Sequence, residues 1–216
     1  MYYYCERTTD GILSEPLNSL TNLAFIIISF LIFKKFREEK FSTIFSVLIF
    51  SIGVSSLLFH SVPNRITGTM DMFFILIFIL MYLFSINNFI FKHSKITSLL
   101  FSLFAPILYY YLGNILKQNV PFLGDSSFYI IILLHLYIIY FYTFFKAIQS
   151  RLYLLIANLM FTLSIFFRAL DLYTCEFNLY GTHFVWHILN SCVLFMLIMF
   201  FYKNNLRKTS SPKIPS

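Results

Sequence analysis

Five polar residues stand in apolar surroundings at spacings that suit a metal site: Ser56 and His60 in SSLLFHS, Asp71 in TGTMDMF, and His183 and His187 in GTHFVWH. Ser56/His60 and His183/His187 are both spaced i,i+4, so on a helix each pair projects from one face, a turn apart. Imidazole nitrogens suit zinc, and three protein ligands plus one water is the arrangement of a hydrolytic rather than a closed structural site. His60, His183 and His187 are the candidate ligands. Zinc held in this way acidifies a water toward neutral pH and polarises a nearby carbonyl. Asp71 is then the candidate proton acceptor, and Ser56, one turn from His60, the candidate donor to a developing oxyanion or holder of the water. An H-x-x-x-H pair also arises by chance, and a lone membrane histidine commonly bonds a neighbouring helix. The combination with His60 and Asp71 is what points to a reaction centre.

The elements that must carry these residues follow from composition. Of 216 residues, 59% are hydrophobic and 12% charged, and the mean hydropathy is +0.78, which excludes an ordinary soluble domain. Seven apolar stretches are each about long enough for a span: 19–36, 41–60, 66–88, 97–116, 127–146, 150–171 and 183–203. Runs such as FFILIFILMYLF are apolar on every face, so the expected fold is an all-α seven-transmembrane helix bundle and not a barrel. The bundle should occupy residues 1–203. The basic, polar, proline-punctuated segment 204–216 is expected to be a disordered cytoplasmic tail. The first apolar run is long enough to span and has no basic segment before it, so it is expected to remain as a span and not to be cleaved as a leader.

Lysine and arginine orient the bundle. With the N-terminus outside, Arg7, Arg65, Lys117 and Arg168 fall on or near the outer face and the other 12 of 16 basic residues fall inside. The net charge of +7 therefore reads as a topology signal and an attraction to acidic lipid, with no nucleic-acid partner implied. In this orientation His60, Asp71, His183 and His187 all lie toward the outer leaflet. Thr182 is the expected N-cap of the last helix, and Gly181 permits a sharp turn into it.

Other polar residues read more blandly. Glu15, Asn18 and Asn22 share one face of the first helix and are expected to pack inward behind the site. Arg168 and Asp171, spaced i,i+3, are expected to neutralise each other as a structural ion pair, with direct catalysis the alternative. His135 is expected to bond a neighbouring helix, with a channel or ligand role the alternative.

Three separated motifs, CERTTDGILSEPLNSLTNLAF, SSLLFHS with Asp71 eleven residues after His60, and FRALDLYTCEFNLYGTHFVWHILNS, resemble the bacterial branch of the alkaline ceramidase family. That family sits within a superfamily of seven-span metal hydrolases that includes the adiponectin-type receptors. The similarity runs over nearly the whole chain. It implies zinc on His60, His183 and His187, with Ser56 and Asp71 completing the catalytic set, and hydrolysis of the ceramide amide to a long-chain amine and a fatty acid. It also implies a calcium ion near Glu6 and Glu15, for which Asp10 and backbone carbonyls offer further oxygens; a solvated acidic loop explains the same residues. Finally, it points to a Cys5–Cys175 disulfide, chemically allowed in an oxidising outer compartment, against the alternative of two free thiols.

The reading is thus a zinc-dependent membrane amidase acting on a ceramide-like lipid that enters from the membrane. The alternatives are a hydrolase of another N-acyl or ester lipid, and a receptor-like protein in which a structural zinc braces the helices. A fourth protein ligand, Asp71 above all, would favour the structural role.

Overall fold

The computed structural model describes residues 4–9, 11–12 and 14–209, with side chains to residue 204; Asp10 and residues 210–216 lie outside them, and of the tail expected to be disordered over 204–216 the part up to Thr209 continues the last helix. The helices are α1 (Pro16–Thr21), α2 (Leu23–Phe36), α3 (Ser42–Ser61), α4 (Arg65–Ser85), α5 (Lys95–Asn119), α6 (Ser126–Phe145), α7 (Arg151–Thr174) and α8 (His183–Thr209). A π-helical turn, Ile86–Ile90, extends α4. No strand occurs among the described residues. Taking α1 and α2 as one span, seven helices are long and apolar enough to cross a membrane, and the protein is a multi-pass membrane protein with an all-α bundle fold.

Burial separates interior helices from peripheral ones. The spanning window of α3 is 56% buried and that of α8 50%, whereas that of α5 is 17% buried. The two helices that carry the histidines are therefore the central pair, and α5 presents most of its surface outward. Close approach in a membrane depends on small residues, since lipid tails compete with any apolar side chain. Gly53 of α3 shows this directly: a Cβ there would lie 2.9 Å from Phe25 Cβ and 3.1 Å from the Asn22 carbonyl oxygen. Gly53 shares a helix face with Ser56 and His60, so the same face that carries the chemistry is pressed against α2. Hydrogen bonds between elements supplement this packing, from Tyr82 Oη to the Leu197 carbonyl at 3.2 Å and from Tyr202 Oη to the Lys40 carbonyl at 3.0 Å.

The first span is not one continuous helix. It breaks at Asn22, whose Nδ2 donates to the Asn18 carbonyl at 2.7 Å. Such local side-chain bonding competes with the helical ladder. On both sides of the break the span packs against α3 and α8. At the start of α4, Asn64 forms a capping box, accepting from Ile66 N and Thr67 N at 2.8 and 3.0 Å while its own N–H donates to Thr67 Oγ1 at 3.1 Å. That cap sets where α4 begins and hence where Asp71, two turns later, projects.

Candidate metal centre

His60 ends α3, His183 begins α8 and His187 follows one turn later; α3 and α8 both pack against α1 and α2, and this shared support brings the three rings together. One ligand atom from each lies within 4.8 Å of the others, and all three residues are buried. The ring centroids form a near-equilateral triangle, with sides of 5.2 Å (His60–His183), 4.7 Å (His60–His187) and 4.7 Å (His183–His187). Among the described residues this is the one group of histidine, cysteine or acidic side chains arranged to hold a metal ion.

The surrounding bonds prepare the rings as ligands. His60 Nδ1 lies 2.5 Å from Glu15 Oε2, a contact in which a neutral imidazole donates from Nδ1 and keeps the lone pair on Nε2. Thr21 Oγ1 donates to the Leu17 carbonyl at 2.7 Å, so its oxygen accepts from His187 Nδ1 at 3.0 Å, with the same consequence for His187. His183 is different, for its Nδ1 is buried without a hydrogen-bond partner. Buried polar atoms are rarely left in that state, so the His183 ring lacks the hydrogen-bonded support of the other two; the three converging ring nitrogens are lone-pair donors that fit a cation. Nitrogen-only ligation suits zinc better than calcium or magnesium.

Glu15 is the hub behind His60. Its Oε1 accepts from Arg7 Nε at 2.5 Å and its Oε2 accepts from Asn18 Nδ2 at 3.1 Å as well as facing His60. Burial alone would push this carboxyl up, but the His60 and Asn18 hydrogen bonds and the charge of Arg7 outweigh it and hold Glu15 below its ordinary value. Glu6 and Glu15, near which the resemblance implies a calcium ion, have nitrogen partners in this structure, and Asp10 lies outside the described residues. Both oxygens of Glu15 are committed to nitrogen, the cation beside it being the Arg7 guanidinium. Glu6 instead caps α1, accepting from Leu17 N at 2.6 Å and Asn18 N at 2.8 Å, an anion at a helix N-terminus.

Asp171 and Arg168 also depart from expectation, because they have separate partners in place of a mutual ion pair. Asp171 Oδ1 accepts from Thr182 N at 2.7 Å and His183 N at 2.9 Å, and Oδ2 accepts from Cys5 N at 3.1 Å. It is therefore Asp171, not Thr182, that caps α8; the Thr182 hydroxyl donates to the Phe167 carbonyl at 2.6 Å. Gly181 makes this possible. It has φ +62°, and a Cβ there would strike the Asp171 carboxylate and lie 2.6 Å from Cys5 Cβ. Arg168 turns to Ser126 Oγ at 2.9 Å and lies over the Tyr129 and Trp186 rings.

Cys5 and Cys175 form a disulfide with a Cα–Cα distance of 5.1 Å. It ties the N-terminal arm to the loop before α8. The preceding residue, Tyr4, stacks on His183 with centroids 4.0 Å apart and lies 5.1 Å from the His60 ring. Enclosure pushes the Tyr4 phenol above its ordinary value, opposed by Arg168 and reinforced by Asp71, so it remains protonated.

A cavity of about 610 Å³ opens from the histidines into the bundle. Ser56, Asp71 and Arg168 line its polar end beside the histidines, and Phe78, Leu136, Phe161 and Leu197 line its apolar part. From Asp71 to Leu83, both lining residues, it follows α4 for roughly 18 Å at the helical rise per residue. Asp71 Oδ1 is buried there without a hydrogen-bond partner, and Ser56 is a hydrogen-bonding neighbour of the same carboxylate. All five residues singled out in the sequence thus face one cavity. Asn18 reaches the site through Glu15, whereas the Asn22 side chain donates back to the Asn18 carbonyl. His135 bonds the Tyr109 hydroxyl of α5, the helix-to-helix bond expected of it.

Sequence reasoning missed Arg7, Thr21 and Tyr4. Thr21 was within reach, since it lies i+3 from Asn18 on the helix that also carries Glu15. Arg7 and Tyr4 sit on an arm with no periodicity from which a contact is readable. Comparison with protein-family models and with curated proteins yields no match.

Proposed function

We propose that the protein is a zinc-dependent integral-membrane amidase that hydrolyses the N-acyl bond of ceramide or a ceramide-like lipid, as the resemblance to the alkaline ceramidase family implies. The observation that carries the reading is the meeting of three buried histidines with a buried carboxylate, Asp71, whose Oδ1 has no hydrogen-bond partner, at the polar end of a long apolar cavity. Zinc held by His60, His183 and His187 would supply Lewis acidity, polarising an acyl carbonyl and lowering the pKa of a water. Asp71 accepts that water's proton and returns it to the leaving amine. Ser56 orients the Asp71 carboxylate and donates toward the oxygen on which negative charge develops. The apolar wall takes the acyl chain, so the amide is presented at the outer end and the chain lies along α4.

Support for catalysis over a purely structural metal comes from the ligand count. Asp71 is not part of the three-residue cluster, and no fourth protein ligand joins it among the described residues. A lipid reaches such a site from the bilayer, and the bias of basic residues puts its head near the outer leaflet.

The test is metal analysis of detergent-purified protein together with fatty-acid release from N-acyl lipids, ester lipids and ceramide. One zinc per chain, ceramide turnover and loss of both in a folded His183→Ala variant are expected. Ester cleavage without amide cleavage would move the substrate class. Stoichiometric zinc with no turnover of any lipid would leave the receptor-like reading.

A further inference from the structure

Each imidazole of the cluster needs something behind it to fix its plane, and the three are not served alike. His60 is held by Glu15 and His187 by Thr21, both through Nδ1. His183 Nδ1 has no such bond. The contact that lies flat against the His183 ring is Tyr4, at 4.0 Å between centroids and 27° between planes.

Tyr4 is itself held through two residues that follow it, Cys5 and Arg7. Cys5 is in the disulfide with Cys175, and its N–H donates to Asp171 Oδ2. The other oxygen of that carboxylate accepts from the N–H of His183 itself. One buried carboxylate therefore sets the register of the arm against the first residue of α8. Arg7 closes the arm, its N–H donating to the Tyr4 carbonyl at 3.0 Å and its side chain pairing with Glu15.

We propose that Tyr4 is a positioning residue of the metal centre: its ring holds the His183 imidazole in place of a hydrogen bond and closes the site to bulk water, and the Cys5–Cys175 disulfide keeps it there. The inference rests on reading the histidines as metal ligands. It assigns the arm a role in metal retention, so reduction of one disulfide loosens a metal whose ligands include no cysteine. The nearness of Tyr4 to His60 as well as His183 places the ring across the gap between the two central helices, where water would otherwise enter.

The experiment uses the full chain in detergent and two readouts that need no substrate. Zinc retention is followed against excess chelator, and the access of acrylamide is followed by quenching of the single tryptophan, Trp186, which is buried at the cavity wall with its ring centroid 6.5 Å from His183. Tyr4→Ala should lose zinc about 10- to 100-fold faster, the range typical of a lost supporting contact, with quenching raised severalfold. Tyr4→Phe should match the wild type in both, whereas Tyr4→Leu, which keeps bulk without a ring, should retain the seal better than the zinc. Reduction of the wild type with a phosphine reductant, which has no zinc-binding thiols, should reproduce Tyr4→Ala. Far-UV dichroism confirms that each variant is folded; if Tyr4→Ala is not, Tyr4→Leu and the reduced wild type carry the test. Wild-type zinc retention and quenching in the folded ring-less variants would overturn the proposal. If the wild type binds zinc but cleaves no lipid, the amidase reading falls while these comparisons still decide the role of Tyr4. A wild type that takes up no metal overturns both.

Discussion

Glu15 Oε2 lies 2.5 Å from His60 Nδ1 while Glu15 Oε1 lies 2.5 Å from Arg7 Nε, so one carboxylate joins a histidine of the candidate metal centre to a cation on the N-terminal arm. A carboxylate in this position fixes the ring, selects the tautomer and raises the basicity of the nitrogen that faces the metal. Glu15→Gln removes the charge and leaves Arg7 beside a neutral amide. Zinc affinity should fall about 10- to 100-fold, measured by chelator competition. Unchanged affinity would show that His60 needs no carboxylate behind it.

Asp71→Asn tests the proton acceptor apart from the metal. It keeps the shape of the side chain and removes the basic oxygen, so zinc should stay at wild-type stoichiometry while turnover falls by about 10²- to 10⁴-fold. Ser56→Ala should cost less, about 10²- to 10³-fold for one lost oxyanion donor. Turnover at the wild-type rate in Asp71→Asn would remove that residue from the mechanism.

Asp171→Ala should act through structure. The carboxylate accepts from the N–H groups of Cys5, Thr182 and His183 and is buried. Hydrogen bonds to a buried charge each contribute about 1.5–3 kcal/mol. The variant should unfold at a clearly lower temperature in a fluorescence-detected melt, and it should lose zinc more readily because the start of α8 is no longer fixed. A melting temperature equal to that of the wild type would mean that water or the disulfide takes over the cap.

Sidedness is open to direct labelling on intact cells. Starting from Cys192→Ser, so that the disulfide pair remains, Asn64→Cys before α4 and Glu38→Cys after α2 place exposed thiols on opposite ends of the bundle. A membrane-impermeant maleimide should label Asn64→Cys and leave Glu38→Cys unmodified until the cells are lysed. The reverse pattern would move the metal centre to the cytoplasmic face.

Much of this architecture is local information. A span announces itself by about 20 apolar residues in a row, and the i,i+4 pairs Ser56/His60 and His183/His187 share faces whatever their helices pack against. Hence the all-α bundle, the seven spans and the residues facing the cavity were legible in the chain itself. The partners of Arg168, Asp171, Glu15 and Arg7 were not. Asp171 sits three positions from Arg168, the spacing of a helical ion pair, yet its carboxylate serves backbone donors at Cys5, Thr182 and His183. Glu6 and Glu15 suggested an oxygen cage, yet one caps α1 and the other is enclosed by nitrogen donors from Arg7, Asn18 and His60. Helices that are apolar on every side carry no moment to say how they rotate against one another. Their rotation and approach are set by close contacts such as Gly53 against Phe25 and Gly181 against Cys5, which exist only once separate parts of the chain have met.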